Sequence, residues 1–304
     1  LFQRSTWTTK RAKMTETQDR PAILSEGPWT HHYIDSNGIR IHYVEQGQGP
    51  LVVFAHGFPE IWLMWRHVIA ALSSKYRCVA IELRGYGESS RPTDLASYDS
   101  RALAGDIENV IMSLGVQECT LVGHDWGAAL SFIAAYKRPD LIKRLVIING
   151  PHPAKFQHLS YRQLLRSWYM FVFQLPGIPE WMCSRRNYGM IDALAIELGK
   201  KAFPDDYVKA IKWSLSQPGA MTGAINYYRA FHLTSQEAQQ DPTVRKIYQE
   251  KLTTPVKIIW GEQDKYLGID LTHGLDAHLS NYSVTYIPQA SHFCVDQEPE
   301  LIAS

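Results

Sequence analysis

Gly123-His124-Asp125-Trp126-Gly127 directly follows the apolar run Cys119-Thr120-Leu121-Val122. The aspartate occupies the place that serine takes in the G-x-S-x-G turn of many hydrolases. In such a strand-to-helix elbow the central side chain is lifted above the end of a sheet, and the glycines two positions away avoid a clash. A carboxylate in that position is a candidate nucleophile for saturated carbon. It leaves an alkyl ester that water can cleave, so two easier steps replace one difficult one. The competing reading is a solvated Asp in an ordinary Gly-rich turn, and the rest of the chain must decide between them.

An elbow nucleophile needs a base, an acid to orient the base and donors for an oxyanion, with the triad in chain order nucleophile, acid, histidine. Ser291-His292-Phe293 follows the last strand-like run and its Pro288 turn, which makes His292 the candidate base. Trp260-Gly261-Glu262-Gln263-Asp264 follows the apolar stretch Val256–Trp260. Asp264 or Glu262 can accept the histidine Nδ1 proton and fix its tautomer, and Asp264 is the preferred one. His56-Gly57-Phe58-Pro59 stands after Leu51–Ala55, where these hydrolases keep their oxyanion loop, so the amides of Phe58 and Trp126 are the expected donors. His56 and Pro59 are expected along the substrate pocket, His56 as a hydrogen-bonded structural residue rather than a second base. Phe58-Pro59 is a candidate cis bond.

Such residues require a sheet edge to hold them. Apolar, β-branched runs at 39–45, 51–55, 77–83, 120–123, 145–149, 256–260 and 284–287 read as strands buried on both faces, and they alternate with helical patterns. That order predicts an α/β fold with a mostly parallel sheet flanked by helices. Leu103, Ile107, Val110, Ile111 and Leu114 recur at helical spacing up to Gly115, and an apolar helix runs from Gly127 to before Pro139. Between 151 and 250 the alternation breaks into aromatic-rich helical patterns. The expected organisation is an N-terminal lead at 1–27, a core made of 28–150 and 251–304, and an inserted helical lid at 151–250 above the carboxyl edge of the sheet.

Composition narrows the function. Among 304 residues, 31 basic and 30 acidic side chains give a net charge of +1, so no nucleic-acid partner is indicated. The four cysteines are widely spaced without a C-x-x-C pair, which fits reduced thiols. No metal, phosphate-loop or nucleotide motif occurs, and no cofactor or metal is expected. The longest apolar run, Trp168–Leu175, is far short of a membrane span, so the chain as given reads as soluble. It starts at Leu1 with a basic, aperiodic segment and ends in what reads as the first turn of a helix, so a further piece is expected at each end.

His56-Gly57-Phe58-Pro59-Glu60, Arg84-Gly85-Tyr86-Gly87-Glu88-Ser89, Gly123-His124-Asp125-Trp126-Gly127, Trp260-Gly261-Glu262-Gln263-Asp264 and Ser291-His292-Phe293 together resemble the epoxide hydrolases of the α/β-hydrolase fold. The resemblance spans roughly residues 28 to 304. Within that family it is similar to the animal epoxide hydrolase 3 and 4 branch, whose members typically carry an N-terminal membrane anchor. Any such anchor here would precede Leu1, and the expected location is the cytoplasm or the endoplasmic reticulum membrane. The resemblance also covers the lid: the run Ser167 to Gly177 and Asn226-Tyr227-Tyr228-Arg229 match the family's two lid motifs. By that match Tyr169 and Tyr228 are the acids that donate to the epoxide oxygen, although spacing alone cannot separate them from the other tyrosines. The implied activity is hydrolysis of lipophilic epoxides to vicinal diols. The alternatives are a dehalogenase with the same Asp nucleophile and a non-catalytic ligand receptor on the same fold.

Overall fold

The computed structural model describes residues 19–157, 159–231 and 240–304. Its short apolar runs assemble into one eight-stranded sheet. In chain order these are β1 (Thr30–Ser36), β2 (Ile39–Gln46), β3 (Leu51–Ala55), β4 (Arg77–Glu82), β5 (Cys119–His124), β6 (Ile142–Ile148), β7 (Val256–Gly261) and β8 (Tyr282–Ile287). Their spatial order is β1-β2-β4-β3-β5-β6-β7-β8. The hairpin β1–β2 lies antiparallel to β4, and every pairing from β4 through β8 is parallel. All five residues of β3 are buried, as strands covered on both faces require.

β1 is the strand that the sequence reading omits. Its residues Thr-His-His-Tyr-Ile-Asp-Ser carry little apolar alternation, and an edge strand needs none, because most of it is only partly covered. Its register comes from the seven residue pairs it makes with β2.

Three helices precede the insertion: α1 (Arg66–Leu72), α2 (Ser100–Ser113) and α3 (Trp126–Lys137). α2 buries Leu103, Ile107, Val110 and Ile111, opens on an Asp99 side chain that accepts the Arg101 N–H, and stops before Gly115. α3 is buried from Trp126 to Tyr136, which explains its apolar composition all round. Between β6 and β7 follow α4 (Tyr161–Arg166), α5 (Trp168–Phe173), α6 (Ile178–Ala202, kinked at Arg185–Tyr188), α7 (Asp205–Ser216), α8 (Ala220–Arg229) and α9 (Pro242–Gln249). The described residues of this stretch add no strand to the sheet. α10 (Cys294–Gln297) and α11 (Pro299–Ala303) follow β8.

The segment after β4 fixes the insertion to the core. The Tyr227 hydroxyl donates to the Arg84 carbonyl at 2.7 Å, and the Gly87 N–H donates to Ser214 Oγ at 2.8 Å. Arg84 is itself held by Asp106 of α2 at 2.8 Å in a buried, two-pronged pair. Cys78, Cys119, Cys183 and Cys294 are buried and unpaired. No helix among the described residues is long and apolar enough to cross a membrane.

Candidate active site

β5 ends at His124 and α3 begins at Trp126, so Asp125 alone makes the turn. Its backbone has φ 51° and ψ −116°, a conformation that costs a residue with a β-carbon about 1–3 kcal/mol. Backbone crowding explains the flanking glycines. A β-carbon on Gly123 would lie 2.5 Å from the Gly127 carbonyl, and one on Gly127 would lie 2.2 Å from the Ala55 carbonyl. The turn leaves the Asp125 side chain 16% exposed at the edge of the sheet.

The two carboxylate oxygens of Asp125 face different groups. Oδ1 accepts the Phe58 N–H at 2.9 Å, and Oδ2 lies 3.5 Å from His292 Nε2. On the other side of the ring, His292 Nδ1 donates to Asp264 Oδ2 at 2.7 Å. Asp264 is in turn fixed through Oδ1, which accepts the amides of Tyr266 at 2.7 Å and Leu267 at 2.8 Å. Asp125, His292 and Asp264 thus form one continuous chain of contacts contributed by three separate strand ends. Asp264, not Glu262, the other acid open from sequence, is the acid on His292 Nδ1, and the Glu262 amide donates to Ile287 O.

Electrostatics ties these groups together. Burial works against a charged imidazole, but the carboxylates of Asp264 and Asp125 outweigh it and hold His292 up to about 10. Burial also works against the Asp125 charge, yet contact with His292 and the Phe58 amide keep its carboxyl below the ordinary value. The favoured state of the His292 ring between Asp125 and Asp264 is therefore the imidazolium.

Opposite Asp125, the insertion contributes Tyr169 from α5 and Tyr228 from α8, their rings 5.9 Å apart and nearly perpendicular. Burial and the Asp125 charge push both phenols up, and Tyr228 is raised further by Tyr169, so both are protonated at neutral pH. Asp125, Trp126, Tyr169 and Tyr228 line one cavity with Ala129, Pro151, Phe156, Met170 and Leu267. Its volume is about 30 Å³.

The sequence pattern of the α/β-hydrolase-fold family matches residues 50–299. Epoxide hydrolase 4 of Mus musculus is 34% identical over 297 residues, covering 93% of this chain and 80% of that protein. Epoxide hydrolase 3 of Xenopus tropicalis is 36% identical over 295 residues, covering 92% and 78%. A Bacillus megaterium epoxide hydrolase crystallised with an inhibitor superposes with a TM-score of 0.79 at 32% identity, covering 89% of this chain and 96% of that one. The chain belongs to the epoxide hydrolases of the α/β-hydrolase fold.

Within this epoxide hydrolase scaffold, the loop after β3, expected to be the oxyanion loop, turns on a cis Phe58-Pro59 bond. The Phe58 amide points at Asp125, and Trp126, as the first residue of α3, offers an amide without an intrahelical acceptor. His56 and Pro59, expected along the pocket, are both buried and are not among the residues that line the cavity. His56 Nε2 accepts the Leu83 N–H at 3.0 Å, so Nδ1 carries the proton and donates to Gly57 O at 3.0 Å. Both ring nitrogens are spent on the backbone, and burial lowers the imidazole to about 4, which fits a structural histidine.

Three supporting residues were not assigned roles from sequence. Asn149, at the end of β6, donates through Nδ2 to Asp264 Oδ2 at 2.7 Å and accepts the Gly261 N–H at 2.9 Å, so it holds the acid and the β7 turn together. The sequence places Asn149 at the end of the apolar strand 145–149, and its side chain gives no separate signal; the strand itself ends at Ile148. His124 donates from Nε2 to the His292 carbonyl at 2.8 Å, which anchors His292 through its backbone. Behind it, Glu60 Oε2 lies 3.5 Å from His124 Nδ1 while Oε1 accepts the Tyr207 hydroxyl at 2.9 Å. Burial and the neighbouring Asp296 push the Glu60 carboxyl well up.

Proposed function

We infer that this protein hydrolyses lipophilic epoxides to vicinal diols through an alkyl ester on Asp125, with no metal or cofactor in the reaction. The observation that carries the reading is the pair of phenols, Tyr169 and Tyr228, on the wall of the cavity that also contains the elbow carboxylate. The named epoxide hydrolases that the chain resembles support the same substrate class.

In the first step Asp125 Oδ2, the oxygen not held by the Phe58 amide, attacks a ring carbon. The carbon–oxygen bond of the ring breaks, and the departing oxygen takes a proton from Tyr169 or Tyr228. Alkylation removes the Asp125 charge, which is one of the two that hold His292 protonated. The imidazole is then released to give up its proton toward the tyrosinate and to act as a base. In the second step His292 takes a proton from water as its oxygen adds to the Asp125 carbonyl carbon. The oxyanion develops on Oδ1, which already accepts the Phe58 N–H, and the Trp126 amide is the second donor of the proposed hole. Collapse breaks the ester bond, the diol oxygen receives the proton from His292, and Asp125 is regenerated.

Aromatic and aliphatic cavity walls favour an apolar substrate, because a polar chain would lose hydration there without partners. A dehalogenase would need N–H donors at the leaving halide rather than two proton sources. The discriminating experiment offers the purified protein a long-chain terminal epoxide and a bromoalkane of equal length. Diol formation without bromide release is expected; bromide release with the epoxide untouched would overturn the reading.

A further inference from the structure

Sixteen large hydrophobic side chains are exposed among the described residues, and nine of them lie between Tyr161 and Met182. They occupy α4, α5, the start of α6 and, at Leu175, the turn before α6, and α5 touches both of the other helices. Leu165 is 58% exposed, Trp168 59%, Phe171 65% and Trp181 59%. Such clustering is uncommon on a monomer's surface and marks an interaction face. α5 has two sides: Tyr169 and Met170 line the cavity, while Trp168 and Phe171 stand in solvent.

We propose that this face docks on the surface of an anionic lipid bilayer. Charge selects the occupant. Arg162, Arg166, Arg185 and Arg186 are exposed in the same stretch of a chain whose net charge is only +1. The Arg185 guanidinium lies 4.5 Å over the Trp181 ring. The stretch's acid, Glu180, is spent on Arg229 at 2.6 Å, and Arg166 has one arm on the Asp264 carbonyl at 2.6 Å. A second copy packed on this face by twofold symmetry would set these arginines against their own counterparts, while Glu180, the acid of the stretch, is already spent on Arg229. Lipid headgroups supply the missing negative charge, while tryptophan rings and arginine stems suit the boundary between headgroups and acyl chains. Docking places the helix that carries Tyr169 against the lipid, one helix away from the cavity. It does not depend on which reaction the cavity performs.

The test is co-sedimentation of the full chain with phosphatidylcholine vesicles, with and without phosphatidylserine. The expected result is binding to the phosphatidylserine vesicles that weakens with salt, with tryptophan emission quenched by brominated acyl chains. The triple variant Trp168→Ser, Phe171→Ser, Trp181→Ser should lose at least about tenfold in partitioning. Arg162→Gln and Arg185→Gln should each weaken binding to anionic vesicles by about fivefold, the equivalent of about 1 kcal/mol. These arginine variants leave the apolar face intact and carry the test if the triple variant is unstable. Three results would overturn the proposal. Wild-type protein that ignores both vesicles is one. Another is triple and arginine variants that bind like wild type, which would shift the role to the basic segment Arg4–Lys13. The last is a dimer in sedimentation equilibrium that the triple variant abolishes while vesicles bind neither form, which would make a second copy the occupant.

Discussion

Asp125, His292 and Asp264 are joined by contacts of 3.5 and 2.7 Å and are further fixed by backbone amides of Phe58, Tyr266 and Leu267. Tyr169 and Tyr228, across the cavity, are set instead by ring edges. Tyr228 packs on Trp126 at 4.9 Å and Phe173 at 4.9 Å, and Tyr169 packs on Phe173 at 5.6 Å. Hydrogen bonds to backbone have one geometry, whereas perpendicular aromatic contacts tolerate displacement. The sheet edge is therefore held by directional bonds, and the helical insertion, held by ring packing, is the more adjustable wall of the cavity. In the proposed mechanism the division follows the chemistry: ester formation and cleavage use the fixed side, and protonation of the leaving oxygen uses the adjustable one.

The strongest way to break this comparison is to remove the proposed nucleophile on the fixed side. Asp125→Asn keeps the turn, because Asn tolerates positive φ, and should lower diol formation by about 10⁴-fold or more with little change in thermal midpoint. Tyr169→Phe and Tyr228→Phe should each slow ring opening by about 10²-fold while the rate of ester hydrolysis, read by rapid quench, stays unchanged. Equal slowing of both steps would mean that the phenols do more than donate a proton.

Stability should divide along the same line. Gly127→Ala forces a β-carbon to 2.2 Å from the Ala55 carbonyl and should cost about 3 kcal/mol or more in denaturant unfolding. Trp168→Ser, at a side chain 59% exposed, should stay within about 0.5 kcal/mol of wild type.

The resting charges predict a pH dependence. His292 is held at about 10 against an ordinary 6.5, so its contribution to folding is complete below pH 6.5 and is lost as pH rises to about 10. The difference in unfolding free energy between wild type and His292→Gln should shrink across that window. A difference that is constant, or that grows with pH, would show that the imidazole rests neutral.

Sequence and structure agree best where the physics is local. β3 to β7 were legible because strands covered on both faces must be continuously apolar, and the elbow because its glycines meet backbone. β1 was not, since a partly exposed edge strand needs no apolar pattern. Asn149 was hidden because its partners, Gly261 and Asp264, are more than a hundred residues away. The two phenols could be singled out among 16 tyrosines only by the lid motifs of the family, because helical spacing gives a buried ring and a proton donor the same pattern.

Intact mass spectrometry of His292→Gln after incubation with a lipophilic epoxide tests the central claim most directly, since blocking the second step traps the ester. The account predicts a mass gain equal to the substrate that disappears when Asp125 is also changed to Ala. No gain across a series of epoxides, or a gain that persists without Asp125, would contradict it.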